Sequence, residues 1–314
     1  MTKVAIIGAG MAGLAAAERL RAQGVPSVIF DKSRGFGGRM ATRRTGDLQF
    51  DHGAQYFSAR GPDFFAQVSR WRDEGVVDEW SAGSYVGAPG MTAPARAMAA
   101  NHECVTDAQV CRLTRDSDGW SVCDYSGQIQ APGNGAYAAV IIAVPAPQAI
   151  PLAETAGAHM PELAQVEYSP CVALMLAFPP ESQRPTADWM KPEDTAIAWI
   201  ARNSSKPGRP RGAQTWVLHA RPDWSRANLE TNMEDLREPL LARFRAVTGV
   251  HAEPTHVSAH RWRYALVEKE VGLPCLFDEA RMVGACGDWC LGPRVEAAYD
   301  SGRAMADTLL RALA

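Results

Sequence analysis

Lysine is scarce in this chain of 314 residues, standing only at 3, 32, 191, 206 and 269, so the basic side chains are mostly arginine. A formal net charge of −3 excludes the strong basic footprint by which a protein binds nucleic acid or an anionic membrane. None of the cysteines, at 104, 111, 123, 171, 275, 286 and 290, falls in a C-x-x-C spacing, and the closest pair is Cys286 and Cys290. That pattern argues against a disulfide framework and a zinc site, and points to a reducing, cytoplasmic setting. No apolar run approaches the length needed to cross a bilayer, no signal-peptide processing site follows the apolar start, and no solenoid repeat is present. Neither a Ser-His-Asp set nor a metal-ligand cluster stands out. Length and composition suit one large or two medium soluble domains with a substantial core.

What is present begins at once. Val4-Ala5-Ile6-Ile7 runs into Gly8-Ala9-Gly10-Met11-Ala12-Gly13, a buried parallel strand feeding G-x-G-x-x-G. Gly8 permits the tight turn, Gly10 the close approach of a pyrophosphate, and Gly13 close helix–strand packing. The helix that follows, with Leu14, Ala17 and Leu20 at helical spacing and Gly24 as its C-terminal stop, offers N–H groups and a positive dipole end to phosphate. Val25 to Phe30 reads as a second strand ending on Asp31, placed to accept from ribose hydroxyls. These are the signs of an adenine dinucleotide site.

Further along, 62–75 reads as a helix with Phe64, Phe65, Val68 and Trp71 on one face. Val110 to Leu113 and Trp120 to Tyr125 read as a hairpin around Asp116-Ser117-Asp118-Gly119, and Ala138 to Val144 as a buried strand. From 151 to 271 the character changes. Tyr168 to Phe178 and Thr215 to Ala220 read as strands, Asn228 to Thr248 as an amphipathic helix, and 203–208 as a loop. Arg281 to Asp288 then returns as a strand ending on an acid, and Val295, Ala298, Gly302, Met305 and Leu309 mark one face of a final helix. The expected fold is α/β: a discontinuous Rossmann-type FAD-binding domain (1–60, 101–150 and 272–314) with an inserted α+β substrate domain (61–100 and 151–271).

A second loop, Gly37-Gly38-Arg39, brings N–H groups and a guanidinium to a pyrophosphate. A simple NAD dehydrogenase needs neither this loop nor the returning C-terminal strand, whereas FAD has a second end to hold. The terminal helix, entered through Gly292-Pro293-Arg294, can point its positive end at the flavin. No second Rossmann motif follows, which argues against a bound NAD(P)H domain of the disulfide-reductase type.

GAGMAGL, FDKSRGFGGRM, Asp51-His52-Gly53-Ala54-Gln55-Tyr56-Phe57, AVIIAVPAPQA and GACGDW resemble the flavin-dependent amine oxidase superfamily. Within it, DHGAQYF, His260-Arg261-Trp262-Arg263-Tyr264-Ala265 and GDWCLGPRVEAAYDSG resemble bacterial renalase-type proteins. Together the motifs and the resemblance give FAD contacts at Gly8, Gly10, Met11, Ala12, Gly13, Asp31, Lys32, Gly38, Arg39, Met40, Ala54, Gln55, Tyr56, Val110, Asp288 and Val295. Val110 would act through its backbone at the adenine end, and the Val295 N–H at the flavin carbonyl. The family often has Glu where this chain has Asp31. The Ser-Gly-Gly-Cys-Tyr context of covalent attachment is missing, so FAD is expected to be non-covalent.

His52 reads as a packed side chain beside the flavin. His260, Trp262 and Tyr264 alternate and would share one strand face, with Arg261 and Arg263 on the other. Either a substrate cavity or a half-buried strand with a solvated basic face accounts for the pattern. The substrate-pocket candidates are Tyr56, His260, Trp262 and Tyr264. The resemblance implies oxidation of dihydronicotinamide isomers to NAD(P)⁺, with hydride passing to flavin N5 and on to O2. A flavin amine oxidase is the alternative, although no lysine falls in a matching motif. A non-catalytic FAD-binding protein is a third reading.

Overall fold

Residues 3–127 and 136–314 are described by a computed structural model of the chain. Two sheets organise it. The first has six strands in the spatial order Leu276–Asp278, Val283–Ala285, Ala139–Ile142, Val4–Ile7, Ser27–Phe30 and Glu103–Val105. All pairs are parallel except the first. Val4–Ile7, Ser27–Phe30 and Ala139–Ile142 are buried along their whole length, as strands covered on both faces must be. On one face, helix Met11–Ala22 crosses the final helix Val295–Leu313. A Cβ on Gly302 would meet the Ala12 carbonyl oxygen at 2.0 Å, so glycine there allows the two backbones to touch. Gly302, Met305 and Leu309 are buried in this contact, and Val295 and Ala298 are half-buried at its start.

The second sheet is antiparallel, in the order Trp189–Met190, Ile197–Arg202, Gln214–Ala220, Glu167–Phe178 and His256–Lys269. One face, with Val172, Leu174, Leu176, Trp216 and Leu218, packs on Leu240, Leu241 and Phe244 of helix Arg237–Thr248. The opposite face takes Phe50 from hairpin Thr42–Thr45/Leu48–Asp51 against Met175, Ala177 and Val217. It then continues beneath the segment 52–56.

Several elements differ from expectation. The helix expected over 228–248 is two helices, Pro222–Ala227 and Arg237–Thr248. Between them Asn228 donates to the Trp224 carbonyl and Asn232 accepts from the Glu234 N–H, local bonds that compete with helix. Pro239 lacks the N–H a continuous helix would use and falls instead in the first turn of the second helix, where none is needed. Helix Pro62–Asp73 buries Phe64, Val68 and Trp71, but Phe65 is 52% exposed, because a stripe that includes it is wider than the surface covered. The expected hairpin is shorter, Arg112–Arg115 with Trp120–Cys123, its turn held by Asp116 accepting from the Asp118 and Gly119 N–H groups. Residues 61–100, grouped above with the substrate domain, supply Phe64, Val68, Trp71, Ala95 and Met98 to the buried cluster that contains Leu14 and Ala15.

Candidate active site

At the carboxyl ends of the parallel strands, Gly8 has φ +112°, and a Cβ there would meet the Ala143 carbonyl oxygen at 2.5 Å. A Cβ on Gly13 would meet the Gly8 oxygen at 2.0 Å, the close helix–strand packing the motif calls for. Gly10, by contrast, faces open space, and it caps helix Met11–Ala22 with no side-chain bond to the first-turn N–H groups. Those donors need a partner. Gly38 stands beside Gly10, with a virtual Cβ 3.7 Å from the Gly10 Cα, so the two glycine loops form one backbone cradle. Its open face at Gly10 and its uncapped donors fit a pyrophosphate.

Asp31 lies against this cradle. Its Oδ2 accepts from the Ala9 N–H and its Oδ1 from the Ser33 N–H, each at 2.7 Å, leaving a lone pair on each oxygen for a further donor. Lys32 beside it is exposed. Val110 reaches the same end because the Ala108 N–H donates to the Asp31 carbonyl, but its own N–H already donates to Ala108. Backbone recognition there would fall to the Val110 carbonyl.

At the other end Arg39 and Asp288, 249 residues apart, form a bidentate pair at 2.7 and 2.6 Å. The guanidinium sits 5.8 Å from the Tyr168 ring centre, and burial pushes the Tyr168 phenol up, so it stays protonated. Met40 is buried in the turn behind Arg39. The Arg39 carbonyl accepts from the Ala54 N–H, and a Cβ on Gly53 would strike that carbonyl at 1.9 Å. The segment 52–56 is thereby fixed against the second glycine loop. Val295 opens the final helix behind Arg294, again without a side-chain cap.

Segment 52–56 lies across one row of the antiparallel sheet. Cross-strand pairing of Trp199 with His219, His219 with Ala173, and Ala173 with His260 puts all four on the same face. His52 packs on His260 at 4.8 Å and Trp262 at 5.1 Å between ring centres, and Tyr56 on Trp199 at 5.7 Å. Both hydrogens of the Gln55 amide are used, on the Asp51 and Gly53 carbonyls at 2.5 and 3.0 Å. His219 Nε2 therefore carries the proton and donates to the His52 carbonyl at 3.2 Å, which also accepts from Trp262 Nε1 at 2.9 Å. Burial is the main cause that lowers all three imidazole pKa values: His52 to about 3, with added repulsion from His260, Arg43 and His219; His219 to about 4, with added repulsion from Lys206; and His260 to about 4, with added repulsion from Arg43. The wall is neutral and aromatic at pH 7.

His260, Trp262 and Tyr264 thus face inward, with Tyr264 against Tyr168 at 5.6 Å. Arg261 and Arg263 face away, bound to the Thr231 carbonyl and to Glu230. They are not the cations of the cleft. That part falls to Arg43, half-buried, whose guanidinium lies 3.2 Å from His260 Nδ1 and has no carboxylate partner among the described residues.

Sequence reasoning missed the cluster beneath this segment. Asp51, Lys206 and Arg209 have side chains with no solvent exposure. Asp51 accepts from Arg209 at 2.5 and 3.1 Å, Lys206 at 3.4 Å, Thr42 Oγ1 at 2.7 Å and the Met91 N–H at 3.1 Å. Burial works to raise the Asp51 pKa, but the two cations and these bonds outweigh it and bring it to about 2. Burial lowers Lys206 to about 8 despite Asp51. Lys206 also donates to Gln55 Oε1 at 3.3 Å, so a loop of polar composition anchors the segment beside the cleft. Nothing in the spacing of 203–209 signals this, because its partners lie some 150 residues away in sequence.

Comparisons agree with this architecture. Residues 6–71 match the NAD(P)-binding Rossmann-like domain, and residues 59–310 match the family described as flavin containing amine oxidoreductase. Among solved structures, cyclohexylamine oxidase from Brevibacterium oxydans IH-35A is similar at TM-score 0.70 and 12% identity, over 99% of each chain. A putrescine oxidase triple mutant gives 0.70 and 13% over 99% of each, and reduced UDP-galactopyranose mutase 0.70 and 13% over 100% of this chain and 96% of that one. At such identities the likeness is one of fold. The 4,4'-diapophytoene desaturase of Staphylococcus aureus strain Newman is 47% identical over 51 residues, which is 16% of this chain and only 10% of that relative. No helix among the described residues is long and apolar enough to cross a membrane. The extent of the family match, on a fold whose cradle, acid and returning strand fit the same cofactor, decides the matter: the chain belongs to the flavin containing amine oxidoreductase family, whose cofactor is FAD.

Proposed function

We propose that the chain is a renalase-like oxidase that takes hydride from dihydronicotinamide isomers. The observation that carries this reading is the sign of charge on the cleft wall. The row under segment 52–56 is neutral, and the charge beside His260, Arg43, is a cation with no carboxylate partner among the described residues. An alkylammonium substrate would meet repulsion there, whereas a nucleotide phosphate would meet attraction. In this reading Trp262 and Tyr264 position the planar ring, and the Arg39–Asp288 pair with Gly10, Gly38 and Asp31 hold the cofactor. Cys286 and Cys290 are buried, with thiols pushed up by burial (Cys290 to about 12), so they are poor nucleophiles and FAD is held non-covalently. FAD, when bound, would supply a two-electron acceptor that O2 can reoxidise.

The balance is dihydronicotinamide isomer plus O2 plus H⁺ giving NAD(P)⁺ plus H2O2. Aromatisation of the pyridinium drives the step, so no protein base is needed and the chain's work is positioning. That agrees with imidazoles held well below neutral pH. Anaerobic mixing of the holoprotein with reduced pyridine isomers, and separately with primary and secondary amines, tests the proposal. Bleaching of the flavin by the isomers supports it. Bleaching by amines alone overturns it in favour of an amine oxidase.

A further inference from the structure

At the far end of the same row, three aromatic rings meet at the surface. Trp189, on the edge strand, stacks on Trp199 at 4.9 Å with 11° between ring planes, and Tyr56 contacts Trp199 from segment 52–56. Trp189 and Tyr56, each packed on Trp199, are still 42% and 38% exposed. The exposed ammonium of Lys191 lies 5.7 Å from the Trp199 ring centre, and no carboxylate pairs with it among the described residues. Trp199 Nε1 is buried without a hydrogen-bond partner.

Stacked rings beside a free cation are how proteins hold a nucleobase and its phosphate. A cationic ligand would be repelled by Lys191, and an aliphatic one would not use the flat ring faces. Trp199 stands three strands from His260 along the row, about 14 Å at ordinary strand spacing. That separation suits the two halves of a dinucleotide, with one unpaired cation, Arg43 or Lys191, near each end. We infer that Trp189, Trp199, Tyr56 and Lys191 form a subsite for the adenine nucleotide half of the donor. This inference rests on the proposed function for the identity of the other half.

Two measurements on the FAD-saturated protein decide it. Calorimetric titration with ADP-ribose should show binding, weakened about tenfold or more by Trp189→Ala and several-fold by Lys191→Ala. Both positions are exposed, so the variants should keep the thermal transition of the parent. In anaerobic bleaching, dinucleotide isomers should outperform the matching mononucleotide isomers in kcat/KM, and Trp189→Ala should abolish the advantage through KM. No binding of ADP-ribose, or binding that both variants leave unchanged, overturns the subsite, as does equal use of mono- and dinucleotide donors. ADP-ribose binding that depends on Trp189, with no bleaching by any dihydropyridine, supports the subsite and overturns the proposed donor instead.

Discussion

Two charged clusters flank segment 52–56, and they are built on opposite terms. Arg39 and Asp288 keep 29% and 10% of their side-chain surface exposed, while Asp51, Lys206 and Arg209 keep none. Both clusters join residues distant in sequence. The Arg39–Asp288 pair, with Arg39 only half-buried, retains hydrogen-bonding capacity toward the cleft, because a bidentate carboxylate still has outward lone pairs. In the buried trio, protein groups take up the carboxylate, and its geometry holds one polypeptide segment against another. The comparison separates charges that receive a ligand from charges that shape the ground on which it is received.

Substitutions should break that comparison unequally. Asp51→Asn leaves Lys206 and Arg209 buried without a counter-charge and should cost about 3–5 kcal/mol, read as a loss of unfolding free energy in urea. The acid limb is expected to be smaller. The folded Asp51 pKa of about 2 lies below its ordinary 3.8, so its stabilisation is full above pH 4 and is lost as pH falls toward 2. That contribution is about 2 kcal/mol, measured by thermal or urea unfolding across this window and absent from Asp51→Asn.

The Arg39–Asp288 pair should behave the other way. Arg39→Met should weaken FAD binding by about 1.5–3 kcal/mol in titration of the apoprotein, with a much smaller change in the stability of the cofactor-free fold. Arg43→Met is expected to have the smallest effect, raising KM for an anionic donor about five- to tenfold with kcat little changed. A fall in kcat with KM unmoved would assign Arg43 to the chemistry rather than to binding.

The clusters also mark what could be read before the fold was known. Arg39 and Asp288 sit in local motifs, a glycine loop and the end of a strand, whose backbone geometry is set by nearby residues. Val4–Ile7, Met11–Ala22 and Asp31 were legible for the same reason. Lys206 looked like an ordinary polar loop residue, since only tertiary packing brings it to Asp51. The single helix expected over 228–248 failed because apolar periodicity outweighed Asn228, Asn232 and Pro239, the residues that interrupt it. The alternation of His260, Trp262 and Tyr264 gave the correct partition of the strand into two faces. Which face met the cleft depended on the sheet row that carries His219 and Ala173.

The central claim concerns what gives up electrons in this cleft. An anaerobic titration with a dihydronicotinamide isomer tests it most directly, followed by admission of air. The expected result is loss of the oxidised-flavin band at one donor per flavin with NAD(P)⁺ as the organic product, then recovery of the band with one H2O2 per flavin. A band that amines bleach and that survives every dihydropyridine isomer would contradict it.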